Sequence, residues 1–190
     1  MGATKYPIID RDVRLKMLGA CLDDEQRGLV LLLYNTGMHP SCFCSPRSKA
    51  GECRRDQIRV TREGGKHYIA WTRAKNSKGL KLPIPRDDAT PIKAFLAMRP
   101  KSNVHYNNLL KRIGERAGYD NVSCGTMRHT FCIRALTPVN EGGLGLSFHE
   151  AAAIMGCTLE VLYRNYAQLR MDQIVFGDEH EAENEVEADE

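Results

Sequence analysis

Two short stretches near the C-terminus carry the side chains best suited to chemistry. Gly125-Thr126-Met127-Arg128-His129-Thr130-Phe131 places an arginine and a histidine at an expected helix start. Ile154 to Leu169 (IMGCTLEVLYRNYAQL) runs through Tyr163 to Tyr166 in Asn-Tyr-Ala-Gln-Leu. These residue types suit transfer of a phosphodiester without a metal. A tyrosine oxygen is a nucleophile that also leaves well, so a covalent link through it stays reversible. An arginine's planar fork matches two phosphate oxygens and stabilises charge developing at phosphorus. A general acid must protonate the leaving oxygen, and a basic surface must hold the polyanion. An arginine at a helix start also opposes the helix dipole, which argues that it is there for a reason beyond packing. The bland alternatives are a surface arginine and two amphipathic packing tyrosines.

In order and spacing these stretches resemble the tyrosine recombinases, the phage-integrase-type DNA strand transferases, over roughly Asp10 to Leu169. The resemblance implies that Tyr166 is the nucleophile. Gly156-Cys157 precedes it by nine residues from Cys157, where that family has Gly-His or Gly-Trp. Tyr163, one turn earlier, is the competing candidate. Arg128 matches the second arginine of the family's His-x-x-Arg motif, with His129 following it. Lys75, eight residues before Pro83 in KNSKGLKLP, matches the hairpin lysine that serves as general acid. Lys78 and Lys81 are neighbours able to substitute for it or to contact phosphates.

The sequence departs from the pattern at four positions. Within Leu31 to Phe43, which contains LLYNTGMHPSCF, His39 stands where the first catalytic arginine belongs. Cys42 stands where the carboxylate orienting that arginine would be, so the two losses are chemically coherent. Gly125 replaces the histidine of His-x-x-Arg, and Cys157 replaces the residue before the nucleophile. Losing one preorganised donor costs about 10²–10³ in rate, so weakened catalysis is expected. As an imidazolium His39 would partly replace the arginine, and His129 or Cys124 would partly cover the gap at Gly125.

The elements that must position these groups follow from periodicity. Helical spacing is expected at Asp10 to Cys21 and Asp23 to Thr36, the second capped by Asp23 and ended by Gly37. A polar, cysteine-containing stretch then runs to Arg55. Gln57 to Thr61 and His67 to Arg73 flank Glu63-Gly64-Gly65 as a hairpin, and Leu80 to Ile84 adds an edge strand that tolerates Pro83. Thr90 to Met98, Ser102 to Ala117, Thr126 to Leu136, Phe148 to Met155 and Thr158 to Gln168 are helical again. A loop rich in Gly and Pro (TPVNEGGLG) lies between Arg128 and Cys157. The expected fold class is α+β, mainly α: a recombinase-catalytic-domain-like helical bundle with a small antiparallel three-stranded sheet.

At 190 residues the chain is most simply one domain, with a lead-in at 1–9, the domain at 10–176 and an acidic disordered tail at 177–190. The resemblance implies a second, N-terminal helical domain closing a clamp on the duplex, for which this length leaves no room, so the chain is expected to be either a piece of a longer protein or a free-standing half. Eight of the 24 acidic residues fall in 178–190, so the rest carries 27 basic against 16 acidic residues, a net +11. A basic body suits a polyanion, and the tail is either a competitor for that surface or only solubilising. Seven cysteines without framework spacing suit reduced thiols. His39-x2-Cys42-x-Cys44-x8-Cys53 holds four zinc-ligand types, but the spacing is poor for tetrahedral closure and no metal or cofactor is expected. No apolar run reaches membrane-spanning length, so an intracellular, cytoplasmic protein is expected, nucleoid-associated if prokaryotic. The expected function is site-specific cleavage and rejoining of double-stranded DNA through a 3′-phosphotyrosine, with possible self-association on DNA and no membrane partner. The alternative is a catalytically degenerate relative that binds DNA or a recombinase partner without cutting.

Overall fold

Asp23 accepts the Gln26 amide at 2.8 Å and so starts helix α2 (Asp24–Thr36), whose first turn adds Asp24 and Glu25 against the dipole. Its Leu29, Leu32 and Leu33 are fully buried. The helix ends at Gly37, which is left-handed at φ 53° and returns its amide to Leu33 O at 2.8 Å. Before it runs α1 (Arg11–Gly19), and after it come a 3-10 turn (Pro40–Cys42), strands β1 (Arg59–Glu63), β2 (Lys66–Thr72) and β3 (Gly79–Ile84), then α3 (Arg86–Ala97), α4 (Asn103–Ala117), α5 (Cys124–Leu136), α6 (Phe148–Met155) and α7 (Leu159–Tyr166). The computed structural model describes residues 11–45, 55–72 and 79–166. Lys75, Lys78, Cys53 and the acidic tail lie outside the described residues. The mainly helical arrangement with a small sheet is the expected fold class.

The sheet is antiparallel in the order β1-β2-β3, with Glu63 opposite Lys66 across a two-residue turn. Gly64 and Gly65 both have positive φ, 53° and 81°, as the hairpin requires. One face buries Ile69, Trp71, Leu82 and Ile84; the other carries Thr61, Tyr68, Lys66 and Lys81.

The chain forms two compact units, Met1–Arg134 and Ala135–Glu190, taken in turn. In the first, α2 and α3 cross closely at Gly28, where a Cβ would sit 2.3 Å from Phe95 Cβ. Phe43, Phe95 and Tyr106 form an aromatic cluster with centroids 5.6–6.3 Å apart. Arg55 is buried beneath it, donating to Tyr106 Oη at 2.9 Å and to Phe95 O, with its guanidinium 4.0 Å from the Phe95 centroid. Within the polar stretch from Gly37 to Arg55, where it is described, Met38, Cys42, Phe43, Cys44 and Arg55 are buried. Asp88 is buried as well, accepting two bonds from Arg14 and one from Asn35, all at 2.8 Å. This network fixes the start of α3 and spans α1, α2 and α3.

Gly37 also lies against α5. A Cβ there would meet the Phe131 ring and Cβ at 2.5–2.8 Å, in a conformation L-residues already resist. Gly37→Ala should cost about 3 kcal/mol, a fall in Tm of roughly 6–12 °C for a chain of this size. Thermal melts by circular dichroism check this, and an unchanged Tm would mean that Phe131 yields freely.

In the second unit Ser147 and Glu150 cap α6 reciprocally, with Glu150 Oε2 accepting the Ser147 amide at 2.9 Å and the Glu150 amide reaching Ser147 Oγ at 3.2 Å. Gly156, at φ 69°, ends that helix, and Thr158 caps α7 by accepting the Val161 amide at 3.3 Å. The loop before α6 folds back on α5's last turn, with Leu146 donating to Ala135 O at 2.8 Å.

Candidate functional site

Helix α5 is held at its start by α4: the Cys124 amide donates to Asn107 Oδ1 at 2.9 Å. Ser123 adds a second cap, its Oγ accepting the Thr126 amide at 3.2 Å. The helix therefore begins two residues earlier than its sequence suggests, and Arg128 sits in the second turn. There the dipole penalises a cation less than at the first turn, which weakens the electrostatic argument for a functional Arg128. Arg128 Nη1 donates to Gly37 O at 2.7 Å, across 91 residues of sequence.

That contact brings Arg128 to the segment carrying His39. His39 is exposed, and its imidazole is held below its ordinary pKa, first by loss of water around the ring and then by the Arg128 cation. The ring is anchored through Nδ1, which lies 2.8 Å from Ser41 Oγ and accepts the Ser41 amide at 3.2 Å. A neutral imidazole thus lies beside the Arg128 guanidinium. Cys42 follows in the 3-10 turn and is buried.

His129 is half-buried, and burial lowers its pKa too. Both imidazoles are therefore neutral near pH 7. The unfolded chain takes up protons below about pH 6.5 that the fold resists. Stability present above that pH should be lost as pH falls through the depressed folded values. Urea midpoints measured between neutral and mildly acidic pH check this. Equal slopes in a His39→Gln, His129→Gln variant would assign the loss to other groups.

Gly125 is exposed in the first turn of α5. Cys124 beside it is buried and its thiol is pushed up to about 12, so it provides no thiolate there. Lys81 projects from the solvent face of the sheet, paired with Glu63 and lying 4.6 Å from the Tyr68 ring centroid. The Glu63 carboxyl is held below its usual range by that lysine.

In the second unit Tyr163 and Tyr166 differ in surroundings. Tyr163 stacks face to face on Phe148, centroids 4.5 Å apart and planes 7° from parallel. Its ring thus has a packing role. Tyr166 is half-buried in the last turn of α7, and Leu162 between Thr158 and these tyrosines is fully buried. Cys157 is half-buried in the turn between Gly156 and Thr158.

Sequence reasoning missed the Gly37 carbonyl and Ser41. A glycine ending a helix signals a turn, not an acceptor for a distant arginine. Among the described residues no group of three His, Cys, Asp or Glu side chains is placed to hold a metal ion, and no helix is long and apolar enough to cross a membrane.

No family model and no curated protein matches the sequence. The fold is similar to that of the XerH site-specific recombinase, solved bound to palindromic difH substrate in a post-cleavage complex, with a TM-score of 0.59 at 13% identity. The match covers 90% of this chain and 53% of the XerH chain, so the chain spans about half the length of that recombinase. The chain thus has a recombinase-like fold, and at this identity the likeness concerns the fold alone.

Proposed function

We propose that the chain is a DNA strand transferase of the tyrosine-recombinase type, cleaving and rejoining double-stranded DNA through a 3′-phosphotyrosine on Tyr166. In this reading Arg128 clamps the scissile phosphate, His39 gives a weaker donor in place of the first arginine, His129 assists, and Lys75 protonates the leaving 5′ oxygen. The observation that carries it is the bond from Arg128 to Gly37 O. It draws together the two sequence segments that resemble the family's two arginine motifs, within a fold similar to a site-specific recombinase. The basic body, net +11 without the tail, suits the duplex as partner, and self-association on DNA and an intracellular location belong to the same proposal.

A second reading has a specific observation behind it. His39 is held neutral beside Arg128, and Cys42 is buried where a carboxylate would hold an arginine. A site so weakened suits a protein that grips DNA, or a recombinase partner, without cutting it. Trapping on a nicked suicide duplex separates the two. A covalent protein–DNA adduct supports strand transfer, and tight binding without adduct supports the degenerate reading.

Either reading makes Lys81 a phosphate contact that Glu63 restrains. Such an exposed pair is weak, so Glu63→Gln should tighten duplex binding by at most about fivefold at low salt. The gain should vanish at high salt, where such pairs are screened. Fluorescence anisotropy measures this, and unchanged affinity at low salt would remove Lys81 from the interface.

A further inference from the structure

We propose that Ser41 is a positioning residue for His39, its backbone amide fixing the neutral ring as the Nε2–H tautomer, so that Nε2–H is the donor the ring offers to a DNA phosphate. A backbone N–H can only donate. The Ser41 amide, 3.2 Å from Nδ1, therefore requires a lone pair on that nitrogen, and the ring's single proton goes to Nε2. The Ser41 hydroxyl, 2.8 Å from Nδ1, can donate or accept and does not decide the tautomer. Protonating Nδ1 would turn an N–H against the amide N–H, so the contact also holds the ring neutral, in the same sense as the Arg128 cation.

This matters because an arginine donates from every nitrogen at all working pH, whereas a neutral histidine donates from one nitrogen only. With Nδ1 committed to Ser41, the exposed ring keeps its donor for an outside acceptor. The phosphate half of the inference rests on the function proposed above; the tautomer does not.

The test is long-range proton–nitrogen NMR on the full chain labelled with 15N-histidine, at mildly alkaline pH where the ring is neutral. His39 should show a protonated Nε2 and an unprotonated, hydrogen-bonded Nδ1. Ser41→Ala, which keeps the amide, should leave that pattern in place. A backbone ester at residue 41, which removes only the N–H, should bring the two nitrogens toward the averaged shifts of a solvated imidazole. Averaged shifts or an Nδ1 proton in the parent protein would overturn the proposal, as would an ester variant with an unchanged pattern. Adding a short DNA duplex should then shift the Nε2–H resonance. Binding by anisotropy with no shift at Nε2 would overturn the phosphate role while leaving DNA binding intact. No binding at all would overturn the proposed function, and with it that role, but not the tautomer.

Discussion

Tyr166→Phe should abolish covalent attachment to a nicked duplex, and Tyr163→Phe should retain it. Each substitution removes one hydroxyl, so the rings stay and the comparison isolates chemistry. The expectation rests on two separate facts. Tyr166 stands nine residues after Cys157 in Asn-Tyr-Ala-Gln-Leu, the spacing that the resemblance to tyrosine recombinases implies for the nucleophile. Tyr163, for its part, already has a job for its ring, stacked on Phe148 at 4.5 Å. An aromatic stack contributes about 0.5–1.5 kcal/mol, which phenylalanine at 163 would keep. Tyr163→Ala should by contrast destabilise the second unit, and any adduct lost there would report folding and not catalysis. Denaturing gels after trapping give the yields. Adduct surviving in Tyr166→Phe, or vanishing in Tyr163→Phe, would move the nucleophile to Tyr163.

Much of this architecture is written in local signals, because those signals act locally. Asp23 and Gly37 bound α2, Ser102 and Ser147 cap α4 and α6, and Gly64-Gly65 closes the hairpin, each through a contact within a few residues. Helix α3 shows where such reading fails. Thr90 to Met98 reads as helical in the sequence, yet α3 starts at Arg86 and takes Pro91 into its interior. A proline there removes one backbone bond and costs about 3 kcal/mol in isolation. The ties of Asp88 to Arg14 and Asn35, across 74 and 53 residues, fix the preceding turn and outweigh that preference. The same distinction applies to the site. Residue types and spacing single out Arg128, Tyr166 and the departure at His39. The approach of Arg128 to Gly37, and the grip of Ser41 on His39, depend on how the chain folds back on itself and left no signal in spacing.

Arg128→Ala should lower the rate of adduct formation by about 10²–10³, the usual cost of removing a preorganised donor from developing charge. The difficulty is that Arg128 also has a structural task. Its Nη1 donates to Gly37 O at 2.7 Å, at the end of α2, and a half-buried bond of this kind contributes on the order of 1 kcal/mol. Two comparisons separate the roles. Gly37→Ala disturbs the same junction by driving a methyl group against Phe131, but leaves the cation in place. If adduct formation merely tracks stability, Gly37→Ala, the more destabilising change, should be the slower variant. If Arg128 clamps phosphate, Arg128→Ala should be slower by at least tenfold when both are assayed well below their Tm, an expectation set by the size of a lost transition-state donor. Arg128→Lys keeps the charge but not the planar fork, so it should recover duplex affinity and only part of the rate. Binding should respond differently from rate: removing one phosphate contact lowers the salt slope of duplex affinity by about one unit. An adduct rate within about threefold of the parent in Arg128→Ala, with Tyr166→Phe inactive, would leave Tyr166 as nucleophile and reduce Arg128 to a strut between α5 and α2.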